Sequence, residues 1–190
     1  ALLSRKNKQS DQAAQHLEAA LKQNPNAHPA LRLLIGLYLE GKQPAKALDA
    51  ARTAMAQAPQ NAEIHQILGE VLLSQKQPEA AAQALAQALT LNINDAQALG
   101  LLVQAYGEMP DKPGTLNKLA AKAADPQAPV FYALALAQLH ERQREGDQAI
   151  AIYNQLLERQ VAPIVVKNNL AYLLAEHRPT PENLTRAKEL

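Results

Sequence analysis

The stretch KQPAKALDAARTAMAQAPQ, residues 42–60, is followed at residues 76–92 by KQPEAAAQALAQALTLN. Both open on Lys-Gln-Pro ahead of a run of small and aliphatic residues, and the openings lie 34 residues apart. Measured with that ruler, Leu34, Leu68, Leu102, Leu136 and Leu170 fall on successive steps, and Leu37, Val71, Ala105, Leu139 and Leu173 keep pace with them. So do Ala13, Ala47, Ala81, Thr115 and Ala149, then Leu17, Ala51, Leu85, Leu119 and Tyr153, then Ala20, Ala54, Ala88, Lys122 and Leu156. Of these 25 positions only Thr115 and Lys122 are polar, which excludes coincidence and makes the chain a repeat.

Within each period the apolar residues recur at three and four, the spacing of one helix face. Prolines such as Pro25, Pro44, Pro59, Pro78, Pro126 and Pro163 stand where such helices begin or end. The pattern predicts helices over 11–23, 28–40, 45–57, 62–75, 79–91, 96–107, 114–124, 129–143, 147–159 and 164–176, with a last one opening near Pro181. KQP is then the turn between the two helices of one unit. Small residues at Ala47, Ala81 and Ala149 let paired helices approach closely, and the Leu34 series fills the space beside them. In the third unit Gly107, Pro110, Pro113 and Gly114 predict a shortened, looser second helix, a surface loop or a hinge.

Composition agrees. The 190 residues are 47% hydrophobic but 3% aromatic, rich in Ala and Leu, which favours closely packed helices over strands. A net charge of +1 and only six aromatic residues argue against nucleic-acid binding. The absence of Cys excludes disulfides, thiolate metal sites and Cys nucleophiles. No apolar run reaches the ~18 residues of a membrane span. His16, His28, His65, His140 and His177 lack metal-ligand spacing, and His65 and His140 read as packed histidines while His28 reads as an ordinary turn residue. No nucleophile elbow or carboxylate pair stands out, so no enzyme activity, no cofactor and no metal are expected.

The pattern resembles the tetratricopeptide repeat, a 34-residue helix–turn–helix. Leu68-Gly69, Leu136-Ala137 and Leu170-Ala171 carry its first-helix signature, Tyr38 and Tyr106 its aromatic, and Ala47, Ala51, Ala54 and Pro59 its second helix. Leu34-Ile35 and Leu102-Val103 depart from it, and the early Trp position holds Leu31, His65, Leu99, Ala133 and Lys167. The resemblance implies an all-α, right-handed superhelical solenoid of antiparallel helix pairs. It divides a single array over 1–190 into a partial repeat 1–27, repeats 28–61, 62–95, 96–129 and 130–163, and a partial repeat 164–190. Because the chain enters and leaves within repeats, it is expected to be a segment of a longer protein, with self-association through the truncated ends. The segment VVKNNLAYLLAEH, residues 165–177, resembles a repeat of tetratricopeptide lipoproteins of bacterial exopolysaccharide and PEP-CTERM-type surface systems, which implies a periplasmic or envelope setting.

What the family implies about function is a scaffold that binds a protein or peptide on the concave face of the first helices. In its frame that face takes Arg32, Glu63, Gln66, Glu70, Gln97, Gln104, Gln138, Arg142, Asn168 and Tyr172 as partner-contacting residues, beside Pro29, Gly36, Leu39, Glu40, Leu73, Phe131, Leu134 and Val165. A Gln-, Asn- and Tyr-bearing face also suits a polysaccharide, the alternative occupant. The carboxylate clamp of chaperone-binding members needs Lys and Asn at its fifth and ninth positions. Arg32 with Gly36, or Gln66 with Glu70, does not supply it, so no preference for acidic C-terminal peptides is expected.

Overall fold

A computed structural model describes residues 2–160 and 163–190, with side chains from residue 9 and, in the second stretch, from residue 164. Residues 161 and 162, which close the fourth expected repeat, lie outside the described residues. Among the described residues eleven helices follow one another: α1 (Leu2–Gln23), α2 (His28–Glu40), α3 (Pro44–Gln57), α4 (Ala62–Ser74), α5 (Pro78–Leu91), α6 (Ala96–Glu108), α7 (Lys112–Ala124), α8 (Phe131–Arg142), α9 (Gly146–Glu158), α10 (Pro163–His177) and α11 (Pro181–Glu189). Residues 1–105 and 106–190 form two compact units, and the division falls inside α6.

The turn at Lys-Gln-Pro has a definite geometry. Lys42 and Lys76 adopt positive φ, 55° and 58°, and Arg144, two periods beyond Lys76, adopts 62°. At each, the next residue donates its N–H back to a carbonyl five residues earlier: Gln43 to Tyr38 at 2.7 Å, Gln77 to Leu72 at 3.0 Å, Glu145 to His140 at 2.9 Å. The left-handed residue itself donates to the carbonyl three before it. This closes the last carbonyls of α2, α4 and α8, which otherwise have no intrahelical partner. Pro44 and Pro78 then open α3 and α5, where a missing N–H costs nothing. At the corresponding step in the third unit stands Pro110, whose φ is fixed negative and which has no N–H to donate. There the chain uses another device: Asp111 caps α7 by accepting from Gly114 N at 3.0 Å. A Cβ at Gly114 would sit 2.0 Å from that carboxylate, so the cap requires the glycine. The expected shortening of this helix is corrected accordingly, because α7 has 13 residues, as many as α4, α6 and α9.

In the first unit α2 packs on α1, α3 and α4, and α4 packs on α5. Leu34, Leu68 and Leu102 are 2%, 7% and 0% exposed, and Ala47, Ala51, Ala81, Leu85 and Ala88 are buried with them. Gly69 on α4 lies so close to Leu85 on α5 that a Cβ would meet Leu85 Cγ at 2.5 Å. α1 departs from the expectation. It begins nine residues earlier than the apolar pattern, and from residue 9 onward its buried residues are Ala14 and Leu21, while Ala13 and Leu17 are half-buried and Ala20 is exposed.

In the second unit Leu136 and Leu170, Ala149, Tyr153 and Leu156 form the corresponding core. Lys122 is exposed where Ala88 and Ala54 are buried one and two periods earlier, and its ammonium lies over the Tyr132 ring, 4.5 Å from the centroid. Tyr153 is fully buried, donates its hydroxyl to Glu141 Oε1 at 2.5 Å and accepts from Asn169 Nδ2 at 2.9 Å. Burial, then the bond to Glu141, raises its phenol well above the ordinary range. Asn169 is thereby a packing residue tying α10 to α9.

Candidate functional site

On the first unit, α2, α4 and the opening turns of α6 bring six polar side chains into one network. Arg32 Nη1 donates to Glu70 Oε2 at 2.6 Å, and its Nε lies 3.6 Å from Glu63 Oε1. Glu63 Oε2 is 2.6 Å from His28 Nδ1, and Glu70 Oε1 accepts from Gln66 Nε2 at 2.9 Å and from Gln97 Nε2 at 3.2 Å. Asn61 reinforces the edge: its Oδ1 accepts from Glu63 N and Ile64 N, and its Nδ2 lies 2.8 Å from His28 Nε2. Burial alone would lower the Arg32 pKa, but its bonds and attraction to Glu70, and then its attraction to Glu63, outweigh that, and the guanidinium is held above its usual value.

Against this network lies a groove of about 180 Å³ between α2 and α4. Ile35, Leu39, Ile67 and Val71 supply its apolar wall, Arg32 and Glu70 one end, and Gly36 leaves it open, since a Cβ there would meet nothing within 4 Å. Glycine inside a helix costs about 1 kcal/mol against alanine. Gly36 incurs that cost without any packing neighbour that demands it. A larger hollow, about 390 Å³, opens between α1 and α3 over Leu34 and Tyr38. Glu18, Asp49, Lys22 and Lys46 line it, two of each sign, and Tyr38 donates to Glu18, so its lining has no net sign. The smaller groove has the more directed chemistry.

Five of the ten residues expected to touch a partner, Arg32, Glu63, Gln66, Glu70 and Gln97, meet in this network. Gln66 is 4% exposed and spends its amide on Glu70, so it braces the site from beneath. Gln104 is exposed on the same helix as Gln97. In the second unit Gln138 is half-buried and Arg142, Asn168 and Tyr172 are not buried, the last being 63% exposed. Phe131, Leu134 and Leu73, expected on the open face, are instead buried core residues. His28 and Asn61 escaped the sequence reading. The signal was the spacing: Arg32 and Glu70 lie 38 residues apart and His28 and Glu63 lie within two residues of one period, the offsets at which first helices of neighbouring units meet. His65 is packed as expected, 7% exposed with Nε2 2.8 Å from Pro59 O, and the half-buried His140 pairs with Glu145. No cluster of metal-binding side chains occurs among the described residues, and no helix there is long and apolar enough to cross a membrane.

Helix pairs repeating every 34 residues, with their leucine and alanine ladders buried, define an all-α helical repeat solenoid. The tetratricopeptide repeat family model matches residues 4–71. Over that stretch the chain is similar to the tetratricopeptide repeat family, whose members are generally non-enzymatic scaffolds for protein interaction. No curated protein matches it. Similar solved structures include MamA, 22% identical over 82% of this chain and 91% of that one, with a TM-score of 0.48. TTC0263, a thermophilic TPR protein of Thermus thermophilus, is 22% identical over 91% and 94%, at 0.45. YrrB, described as a TPR protein with an unusual peptide-binding site, is 20% identical over 100% and 88%, at 0.46.

Proposed function

We propose that the chain is a non-enzymatic scaffold whose first unit binds an extended segment of a protein partner in the groove between α2 and α4. The observation that carries this is Gly36. A helix-interior glycine with open space above it, beside an apolar wall and a fixed polar network, is a cradle for another chain's side chain. Glu63, Glu70 and Gln97 offer polar contacts at one end, while Gln104 extends the face along α6. Gln138, Arg142, Asn168 and Tyr172 are the corresponding contacts proposed for the second unit.

The likeness of residues 165–177 to envelope arrays supports a role in surface-polymer biogenesis. Polysaccharide as the occupant has weaker support, because Gln66 and Gln97 already spend their amides on Glu70. The test is Gly36→Leu, which fills the cradle from an open position. Partner capture lost with the thermal melt unchanged or raised supports the groove; capture unaffected removes it.

A further inference from the structure

The occupant's chemistry can be read one step further, on the assumption that the groove is the binding site. The charged residues on α2, on α4 and on α6 as far as Ala105 are Arg32, Glu40, Glu63 and Glu70. Three carboxylates thus share one guanidinium, and that guanidinium is held by two of them. An acidic ligand would have to displace Glu70 or Glu63 to reach Arg32. A basic one meets spare acceptor capacity. Glu63 is 44% exposed, and its Oε1 stands 3.6 Å from Arg32 Nε, beyond hydrogen-bond reach. Glu40 is exposed one turn beyond Gly36 on the same helix face, so carboxylates flank the cradle at both ends. His28 and Gln97 approach these carboxylates as neutral or donor groups and add no anion.

The geometry points to a partner segment with an aliphatic side chain set between basic ones: the aliphatic group enters over Gly36 against Ile35, Ile67 and Val71, and Lys or Arg side chains reach Glu63 on one side and Glu40 on the other. Charge complementarity sets the sign of the ligand, and the absent Cβ sets where its apolar anchor goes.

The experiment uses the 190-residue chain and three fluorescein-labelled peptides with a central Leu flanked by Lys, by Glu or by Gln, followed by fluorescence anisotropy. The Lys-flanked peptide binds more tightly than the Glu-flanked one, by about ten-fold or more at low salt, and the gap narrows as salt is added. Glu40→Gln, at an exposed position, with Glu63→Gln, at a half-buried one, removes that preference while the thermal melt shows the chain still folded. Gly36→Leu weakens all three peptides. Equal or tighter binding of the Glu-flanked peptide, still lost in Gly36→Leu, overturns the charge inference and leaves the groove standing. Failure of all three peptides to bind overturns both.

Discussion

Gly36 and Gly69 occupy first helices of neighbouring units, and each lies mid-helix, yet they meet opposite surroundings. A Cβ on Gly69 would drive into Leu85, whereas one on Gly36 would meet nothing. Gly69 is fixed by the seam between α4 and α5. Gly36 has no structural partner and borders a groove with an ionic end. Residue type alone therefore separates neither role; the distance to the next helix does.

The largest effect belongs beside Gly69. Leu68→Ala opens a cavity where α4 meets its neighbours and should cost roughly 2–5 kcal/mol in urea melts. A neutral result would place the seam elsewhere. Gly69→Ala overpacks against Leu85, and should destabilise by about 1–3 kcal/mol despite the better helix former. Ala81→Leu, from a fully buried position on α5, should cost about the same. Gly36→Ala has the reverse sign: with no clash to offset the propensity gain, it should stabilise by up to about 1 kcal/mol. Denaturant midpoints of Gly36→Ala and Gly69→Ala moving in the same direction would erase the contrast.

The seam was legible because burial repeats. Each 34-residue step returns Leu34, Leu68, Leu102, Leu136 and Leu170 to an equivalent place, and all five are buried. The start of α1 was not legible, because SRKNKQSDQ carries no apolar period even though it continues the helix. The shift of burial onto Ala14 and Leu21 depends on how α1 lies against α2, which periodicity cannot specify. Half of the candidate site residues were brought together by the same ladder that set the fold. Their pairing was hidden because Arg32 reaches Glu70 rather than the residue one period away, and because the room above Gly36 is a property of the space between helices.

The smallest effects sharpen the contrast at the turns. Lys42 and Lys76 hold left-handed backbone where an L side chain costs about 1–2 kcal/mol and glycine does not. Glycine also frees the unfolded chain, which returns part of that gain. Lys76→Gly should therefore stabilise by roughly 0.5 kcal/mol, keeping the bond from Gln77 N to Leu72 O. Pro110 stands on the next step of the same ladder, but α7 is entered there through the Asp111 cap, with no positive-φ residue at the turn. Pro110→Gly should lose the ring's restraint on the unfolded state and destabilise by about 0.4–1 kcal/mol. Opposite signs at residues 76 and 110, read from paired urea melts, would show that the repeat preserves the turn's position while using two different physical means to make it. A gain at both would mean that the left-handed turn is within reach of the third unit once proline is removed.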